Sequence, residues 1–341
     1  MKALVLRGPE SVGIEDVPLP ARKSGEALVR VRFVGLCGTD LNSYRGRNPL
    51  VSYPRIPGHE IAATIVEIDA GISGLSVGTD VTLSPYTSCG TCAACRNHRS
   101  NACQFNQTLG VQRDGALTEY ISVPVEKLYP ARLSLRELCM VEPLTVGCHA
   151  VSRARVTDAD TVAIFGCGGV GLGAVAASAF RGARTIAMDV DDGKLEIAKK
   201  AGAAYTINSQ TQDIKASLQE LTGGLGPQVV IEAVGRPETF LAAVDLVAFT
   251  GRVVYIGYAK EPVTYETRLF VQKELDIMGT RNALPRDFQE VIAMLEQKRF
   301  PVEAAVSTVV PLEESPQVLA AWNADPARFT KIMISCDEDH V

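Results

Sequence analysis

Residues 162–180 are apolar and long enough to cross a bilayer, yet they include Gly166, Gly168, Gly169, Gly171 and Gly173. A membrane helix has no use for so many glycines. A buried strand, a tight glycine turn and a buried helix account for them better. The turn is Gly166-Cys167-Gly168-Gly169-Val170-Gly171. Such a turn needs a sharp reversal, close approach of backbone to a pyrophosphate, and close packing of helix on strand. The helix start then presents unpaired N–H groups and a positive dipole end to the phosphates. Alone this pattern is weak, because glycines also serve simple packing. Asp189 closes the next apolar run about twenty residues on, where a carboxylate accepts hydrogen bonds from an adenosine ribose. A carboxylate there repels a 2′-phosphate, and Val190, Asp191 and Asp192 bring negative charge and no arginine, so NAD rather than NADP is expected. Lys194 is placed to flank the adenine or a ribose hydroxyl.

Around this turn the chain alternates strand and helix. Strands are expected at 161–165, 185–189, 204–207 and 229–233, helices at 169–181 and 194–201, and the pattern continues through 240–247 and 251–257. Alternation of this kind argues for a parallel sheet covered on both faces. The first ~140 residues differ, with short β-branched runs at 27–34, 61–68 and 80–83 set off by Gly and Pro. After 276–279 one clear helix is expected at 285–297, followed by short mixed elements. Positions 1–148 are therefore expected to form a β-rich domain, 149–279 the α/β domain, and 280–341 a return to the first.

Cys89, Cys92, Cys95 and Cys103 lie in one short polar stretch. Cysteines two residues apart can turn back onto one ion, and four thiolates make a closed tetrahedral shell for structural zinc, here a lobe at 86–104. Two disulfides are the alternative, and they need an oxidising compartment. Met-Lys-Ala-Leu-Val-Leu-Arg reaches a charge too soon for a signal-peptide core, so reduced thiols and a cytoplasmic location are expected. The 341 residues are 46% hydrophobic and 21% charged with a formal charge of −5, which gives no electrostatic reason to expect nucleic acid or an anionic membrane as partner.

A second set of candidate ligands is scattered. Cys37 stands in Gly-Leu-Cys-Gly-Thr-Asp, His59 in Pro-Gly-His-Glu, and Glu142 in Val-Glu-Pro-Leu. One thiolate, one imidazole and one carboxylate leave a position open, as catalytic zinc requires. Taken singly, Cys37 reads as well as a buried small hydrophobe and His59 as a loop residue, and spacing does not bring the three together.

These motifs, in this order, resemble the zinc-dependent medium-chain dehydrogenase/reductase (alcohol dehydrogenase) family over essentially the whole chain. They are Cys37-Gly-Thr39-Asp40, Gly58-His59-Glu60, the four-cysteine lobe, Glu142-Pro143, Gly166–Gly171 and Asp189. Glu142-Pro143 and Gly279-Thr280-Arg281-Asn282 resemble the polyol, threonine and sugar-acid branch, nearest the L-galactonate 5-dehydrogenase type. The resemblance implies an α/β Rossmann domain with a doubly wound parallel sheet, joined to a β-rich GroES-like catalytic domain that carries the structural zinc lobe. It implies two Zn2+ per chain, one catalytic and one structural, and NAD as cosubstrate for oxidising a secondary hydroxyl to a ketone. Cys37 and His59 would ligate the catalytic zinc, with Glu60 or Glu142 as an exchangeable third ligand, and Thr39 would pass the substrate proton outward. Arg281 would sit at the substrate cleft near Glu142, and Ile256, Gly257, Thr280 and Arg281 would approach the nicotinamide half of NAD. The partners implied are a small-molecule alcohol and further copies of the chain, as a homodimer or homotetramer joined through 251–257 and the following strand.

Two departures stand out. Asn42 occupies the position where many relatives carry a histidine relay, and an amide does not change protonation state near neutral pH. Ala63 and Asp69 replace glycines that relatives often have, which suggests a local loop shift. Other readings are a sorbitol, galactitol-phosphate or threonine dehydrogenase, a zinc-free NADP-dependent quinone oxidoreductase, and a regulatory protein that binds NAD without turnover. The quinone oxidoreductase would have no use for the cysteines or for Asp189.

Overall fold

Strand Glu26–Leu36 shows why the first part of the chain forms sheet. Ala27, Val29, Val31 and Phe33 are buried and alternate with half-buried Leu28, Arg30 and Arg32, the period-two pattern of a strand with one face on a core. This strand pairs antiparallel with Glu60–Glu67, Tyr120–Pro124 and Ile332–Ser335. Asp80–Leu83, Leu128–Pro130 and Thr308–Pro311 complete a seven-stranded sheet, and Lys2–Gly8 forms a separate hairpin with Ser11–Asp16. Leu4, Val29, Val31, Ile61, Ile65, Leu83, Leu117 and Ile334 share its core. Asp69, which stands where a glycine was expected, holds the Arg22 guanidinium at 2.7 Å and the Gly25 N–H at 2.9 Å, so the loop is closed by side-chain bonds.

The computed structural model describes residues 1–337. It divides into one unit that joins Met1–Glu142 to the chain from Val302 onward, and a second unit, Pro143–Pro301. These dividing points differ from the expected 148/149 and 279/280. Helix Pro285–Glu296 belongs with the α/β unit because Asp287 bonds His149 at 2.8 Å and Glu290 holds Arg181 at 2.7 Å, over buried Phe288, Val291 and Leu295. Positions 338–341 of the expected return segment lie outside the described residues.

The 19-residue helix Leu135–Arg153 was not expected from sequence. Leu138, Cys139, Met140, Val141 and Leu144 are all buried, so no apolar stripe of helical period stands out, and Pro143 lies inside it. Helix Ile214–Leu221 was also missed.

The second unit is a six-stranded parallel sheet in the order Tyr205–Asn208, Arg184–Asp189, Thr161–Phe165, Val229–Glu232, Arg252–Tyr255, Asp276–Gly279. The first strand in sequence lies near the middle and the order runs outward both ways. That is the doubly wound Rossmann arrangement, whose ligands bind beyond the carboxyl ends of the strands at the reversal. Arg252–Tyr255 is paired on both sides and cannot extend the sheet to another copy, whereas Asp276–Gly279 is an end strand.

Close approach of helices Leu135–Arg153 and Gly169–Phe180 depends on glycine: a Cβ at Gly147 would lie 2.2 Å from the Ala174 nitrogen. We expect Gly147→Ala to destabilise the protein by about 1–3 kcal/mol, the usual cost of overpacking. Gly168→Ala, with nothing within 4 Å of the added carbon, should leave urea denaturation unchanged.

Candidate active site

Cys37 follows the long strand in extended conformation and caps helix Gly38–Tyr44. The Thr39 N–H donates to its sulfur at 3.5 Å, and its own N–H donates to Asp40 Oδ2 at 2.9 Å. Asp40, 1% exposed, also accepts from the Gly58 N–H at 3.1 Å and lies 3.8 Å from His59 Nδ1. Gly58 has φ of +98°, and a Cβ there would stand 2.8 Å from Val34, so glycine is required for the chain to deliver His59. One helix-capping carboxylate thus holds the backbone at Cys37 and at Gly58, the residue before His59.

Ligand atoms of Cys37, His59 and Glu60 all lie within 4.8 Å of one another. His59 Nδ1 is buried and has no hydrogen-bond partner. Burial alone would lower the imidazole, but the facing Asp40 charge, the hydrogen bond and charge of Cys37, and Glu142 together raise it well above the ordinary range. The cluster therefore holds an excess of negative charge that favours a cation, whether proton or metal. Thiolate, imidazole and carboxylate at this spacing fit zinc.

Glu60 opens the second strand of the sheet and pairs across to Gly35. A Cβ on Gly35 would lie 2.0 Å from Glu60 Oε2, so that glycine makes the space its carboxylate fills. Lys331, 5% exposed, donates to both Glu60 oxygens at 2.8 and 2.6 Å and to the Leu36 carbonyl at 3.1 Å. Glu142, 3% exposed, stands outside the three-residue set and accepts from the Tyr86 hydroxyl. Burial pushes its carboxyl up to about 7, assisted by Glu60 and opposed by His59. Thr39 is half-buried in the capped helix.

The sulfurs of Cys89, Cys92, Cys95 and Cys103 also lie within 4.8 Å of one another, and all nine cysteines are free. Cys103 Sγ accepts N–H bonds from Cys89 at 3.3 Å and Phe105 at 3.4 Å, and Cys89 Sγ accepts from Cys92 at 3.3 Å. Backbone N–H groups of Thr91 and Cys92 hold the Cys89 thiol down at about 6, while burial and the neighbouring sulfurs push Cys95 up to about 11. Four adjacent thiols resist joint ionisation unless a cation shares the site. The donor set and its clustering fit a closed zinc site.

In the second unit, Gly166 turns with φ of +91°, and a Cβ on Gly171 would lie 1.9 Å from the Gly166 carbonyl oxygen. Gly168, Gly169 and Val170 follow at the start of helix Gly169–Phe180. Asp189 Oδ2 accepts from the Cys167 N–H at 2.7 Å, and Oδ1 from Val190 at 2.8 Å and Asp191 at 3.1 Å. The acid thus fastens the glycine turn to the second strand. Lys194 lies in the first turn of Asp192–Lys200, its N–H bonded to Asp191. Ile256 and Gly257 donate to the Glu232 carbonyl at 2.9 and 3.3 Å, Thr280 N–H donates to Tyr255, and Arg281 is exposed.

Four residues of these sites escaped the sequence reading: Lys331, Tyr86, Glu232 and Asp40 as a bridge. Fully buried Glu232 accepts from the Val234 and Gly235 N–H groups at 2.9 and 2.8 Å and from the Thr239 hydroxyl at 2.7 Å. An acid ending an apolar strand just before Gly235 was its available signal. Lys331 and Tyr86 had none.

Residues 23–133 match the alcohol dehydrogenase GroES-like domain and residues 169–297 the zinc-binding dehydrogenase domain. L-galactonate-5-dehydrogenase of Escherichia coli is 33% identical over 301 residues, covering 88% of each chain. The chain belongs to the zinc-binding alcohol dehydrogenases. Erythritol/L-threitol dehydrogenase of Mycolicibacterium smegmatis is 34% identical over 333 residues and 92% of each chain. A crystal structure of an Escherichia coli protein described as a short chain alcohol dehydrogenase, complexed with NADH, superposes with a TM-score of 0.90 at 28% identity, covering 98% of this chain and 99% of that one. These likenesses place the chain among zinc-type polyol and sugar dehydrogenases.

In this dehydrogenase, Lys331→Met leaves the Glu60 charge buried without its partner. We expect about 3–5 kcal/mol of destabilisation in metal-free protein, read by chemical denaturation. Adding Glu60→Gln should return part of that loss, and full stability of Lys331→Met alone would contradict the ion pair's role.

Proposed function

We propose that the chain is a zinc- and NAD-dependent dehydrogenase that converts a secondary hydroxyl of a polyol or sugar acid to the ketone, with L-galactonate the first substrate to test. The observation that carries this reading is the buried, unpartnered His59 nitrogen beside the Cys37 thiol and Glu60 carboxylate. When bound, zinc supplies a Lewis acid that makes a substrate hydroxyl easier to deprotonate, and NAD+ supplies the hydride acceptor.

The chain's own side chains do the rest. Cys37 and His59, with Glu60 or Glu142 as third ligand, would hold the catalytic ion, and Asp40 holds the backbone at Cys37 and just before His59. Thr39 would relay the departing proton, its hydroxyl accepting one as it releases its own, and Asn42 would leave the onward path to water or ribose hydroxyls. N–H groups along Gly166, Gly168, Gly169, Val170 and Gly171 would meet the pyrophosphate, and Asp189 would meet the adenosine ribose and disfavour a 2′-phosphate. Lys194 would flank the adenine end, while Ile256, Gly257, Thr280 and Arg281 would approach the nicotinamide half. The Arg281 guanidinium suits a planar anion such as an aldonate carboxylate. Cys89, Cys92, Cys95 and Cys103 would complete a structural zinc shell with no position left for substrate.

Self-association into a homodimer or homotetramer is part of the proposal. The support is the end strand Asp276–Gly279, whose Ile277 is 37% exposed and which has a sheet neighbour on one side. Nine free cysteines support a reducing, cytoplasmic setting, and no helix among the described residues is long and apolar enough to cross a membrane.

Initial rates of NADH formation test the reading across L-galactonate, other aldonates, sorbitol, galactitol, their phosphates and threonine. We expect turnover with NAD+ on an aldonate or polyol. Loaded zinc at both centres with no turnover on any alcohol would favour a regulatory NAD-binding protein instead. Cys37→Ala should lose turnover and the catalytic zinc while keeping its fold, whereas Cys92→Ser should lose the lobe zinc and thermal stability first. Undiminished NAD+ reduction by Cys37→Ala would end the scheme.

A further inference from the structure

Tyr86 stands between the end of strand Asp80–Leu83 and Cys89, where the chain enters the four-cysteine lobe. Its ring is buried, 7% exposed, and its hydroxyl donates to Glu142 Oε1.

The backbone on both sides of Tyr86 is pinned by the segment that leaves the lobe. Before it, the Pro85 carbonyl accepts from the Leu109 N–H at 3.1 Å and from Arg113 at 3.4 Å. After it, the Thr87 N–H donates to Asn106 Oδ1 at 3.1 Å, and the Thr87 hydroxyl accepts from the Gln107 N–H at 2.7 Å. Asn106 is itself buried, and its N–H bonds the Cys103 carbonyl at 3.2 Å. The chain entering the lobe and the chain leaving it are thereby laced together at the residue that reaches Glu142. All four cysteines lie between the two laced segments, so the lobe and the lacing belong to one closed loop.

We infer that Tyr86 is a positioning residue through which the four-cysteine lobe holds the Glu142 carboxylate. This rests on the proposed catalytic metal centre at Cys37 and His59. The lobe then does more than stabilise the fold, because its closure sets the orientation of a carboxylate in the reacting centre. Tyr86 makes no bond to substrate in this role. Tyr86→Phe keeps the ring and removes the donor, so the effect should fall on Glu142 and not on packing.

The test uses the full chain with zinc in the lobe and cobalt(II) at the catalytic centre. We expect Tyr86→Phe to keep its lobe zinc and melting temperature, to shift the cobalt absorption bands, and to lower kcat about tenfold with little change in KM, the scale of losing a hydrogen bond to a charged group. Asn106→Ala, which loosens the lacing from the other side, should shift the bands the same way in the parent and add nothing in Tyr86→Phe. Unchanged bands and kcat in Tyr86→Phe overturn the inference. So does an Asn106→Ala effect that adds in full to Tyr86→Phe, since the lobe would then act by another route. A parent that takes up no cobalt dependent on Cys37 and His59 would instead overturn the catalytic reading, and the inference with it.

Discussion

Glu60 and Lys331 are both nearly out of reach of water, and the ammonium holds both carboxylate oxygens within 2.8 Å. A lone carboxylate at that depth would cost several kcal/mol or take up a proton, and either outcome would change the charge beside Cys37 and His59. Lys331 resists this. Burial lowers its pKa, but the charges of Glu60 and Cys37 outweigh that and raise it, so it stays protonated. An ionised carboxylate has room for about four hydrogen-bond or metal contacts, so Glu60 can face the ammonium and an ion together. Lys331 reaches the site because strand Ile332–Ser335 pairs with Glu26–Leu36, which also pairs with Glu60–Glu67.

The other charges are organised around this pair. Asp40 caps a helix, holds the Gly58 turn and faces His59, so one buried side chain ties the fold of two loops to the geometry of two ligands. Carboxylates, a thiol and an imidazole whose Nδ1 is unpartnered then cluster together beside one ammonium. That imbalance is tolerable in a protein interior when a dication completes it. The lobe repeats the principle with four clustered thiols, and backbone N–H donors hold the Cys89 and Cys103 sulfurs in place.

Much of the α/β unit was readable because its rules are local. The glycines of 166–171, the apolar strands and Asp189 lie close in sequence, and the strand limits differ from those expected by at most two residues. The lobe was readable for the same reason. Helix Leu135–Arg153 was not, since burial on all sides erases the amphipathic signal and Pro143 argues against it. The division of the chain was misplaced where Asp287 and Glu290 bind His149 and Arg181, contacts more than 100 residues apart. Asp189 was expected to face a ribose, and it also secures the Cys167 N–H, which periodicity does not encode.

Sequence alone determined the doubly wound sheet, the dinucleotide turn and the four-sulfur cluster, because each is set by backbone conformation and side-chain spacing within a few tens of residues. Tertiary structure decided that Cys37, His59 and Glu60 share one site, that Lys331 balances it, and that Tyr86 reaches Glu142. Lys331 meets Glu60 across 271 residues and Tyr86 meets Glu142 across 56, while Cys37 and Glu60 converge only because their strands pair. The energies of these contacts come from burial and charge compensation, which exist only after the strands have paired.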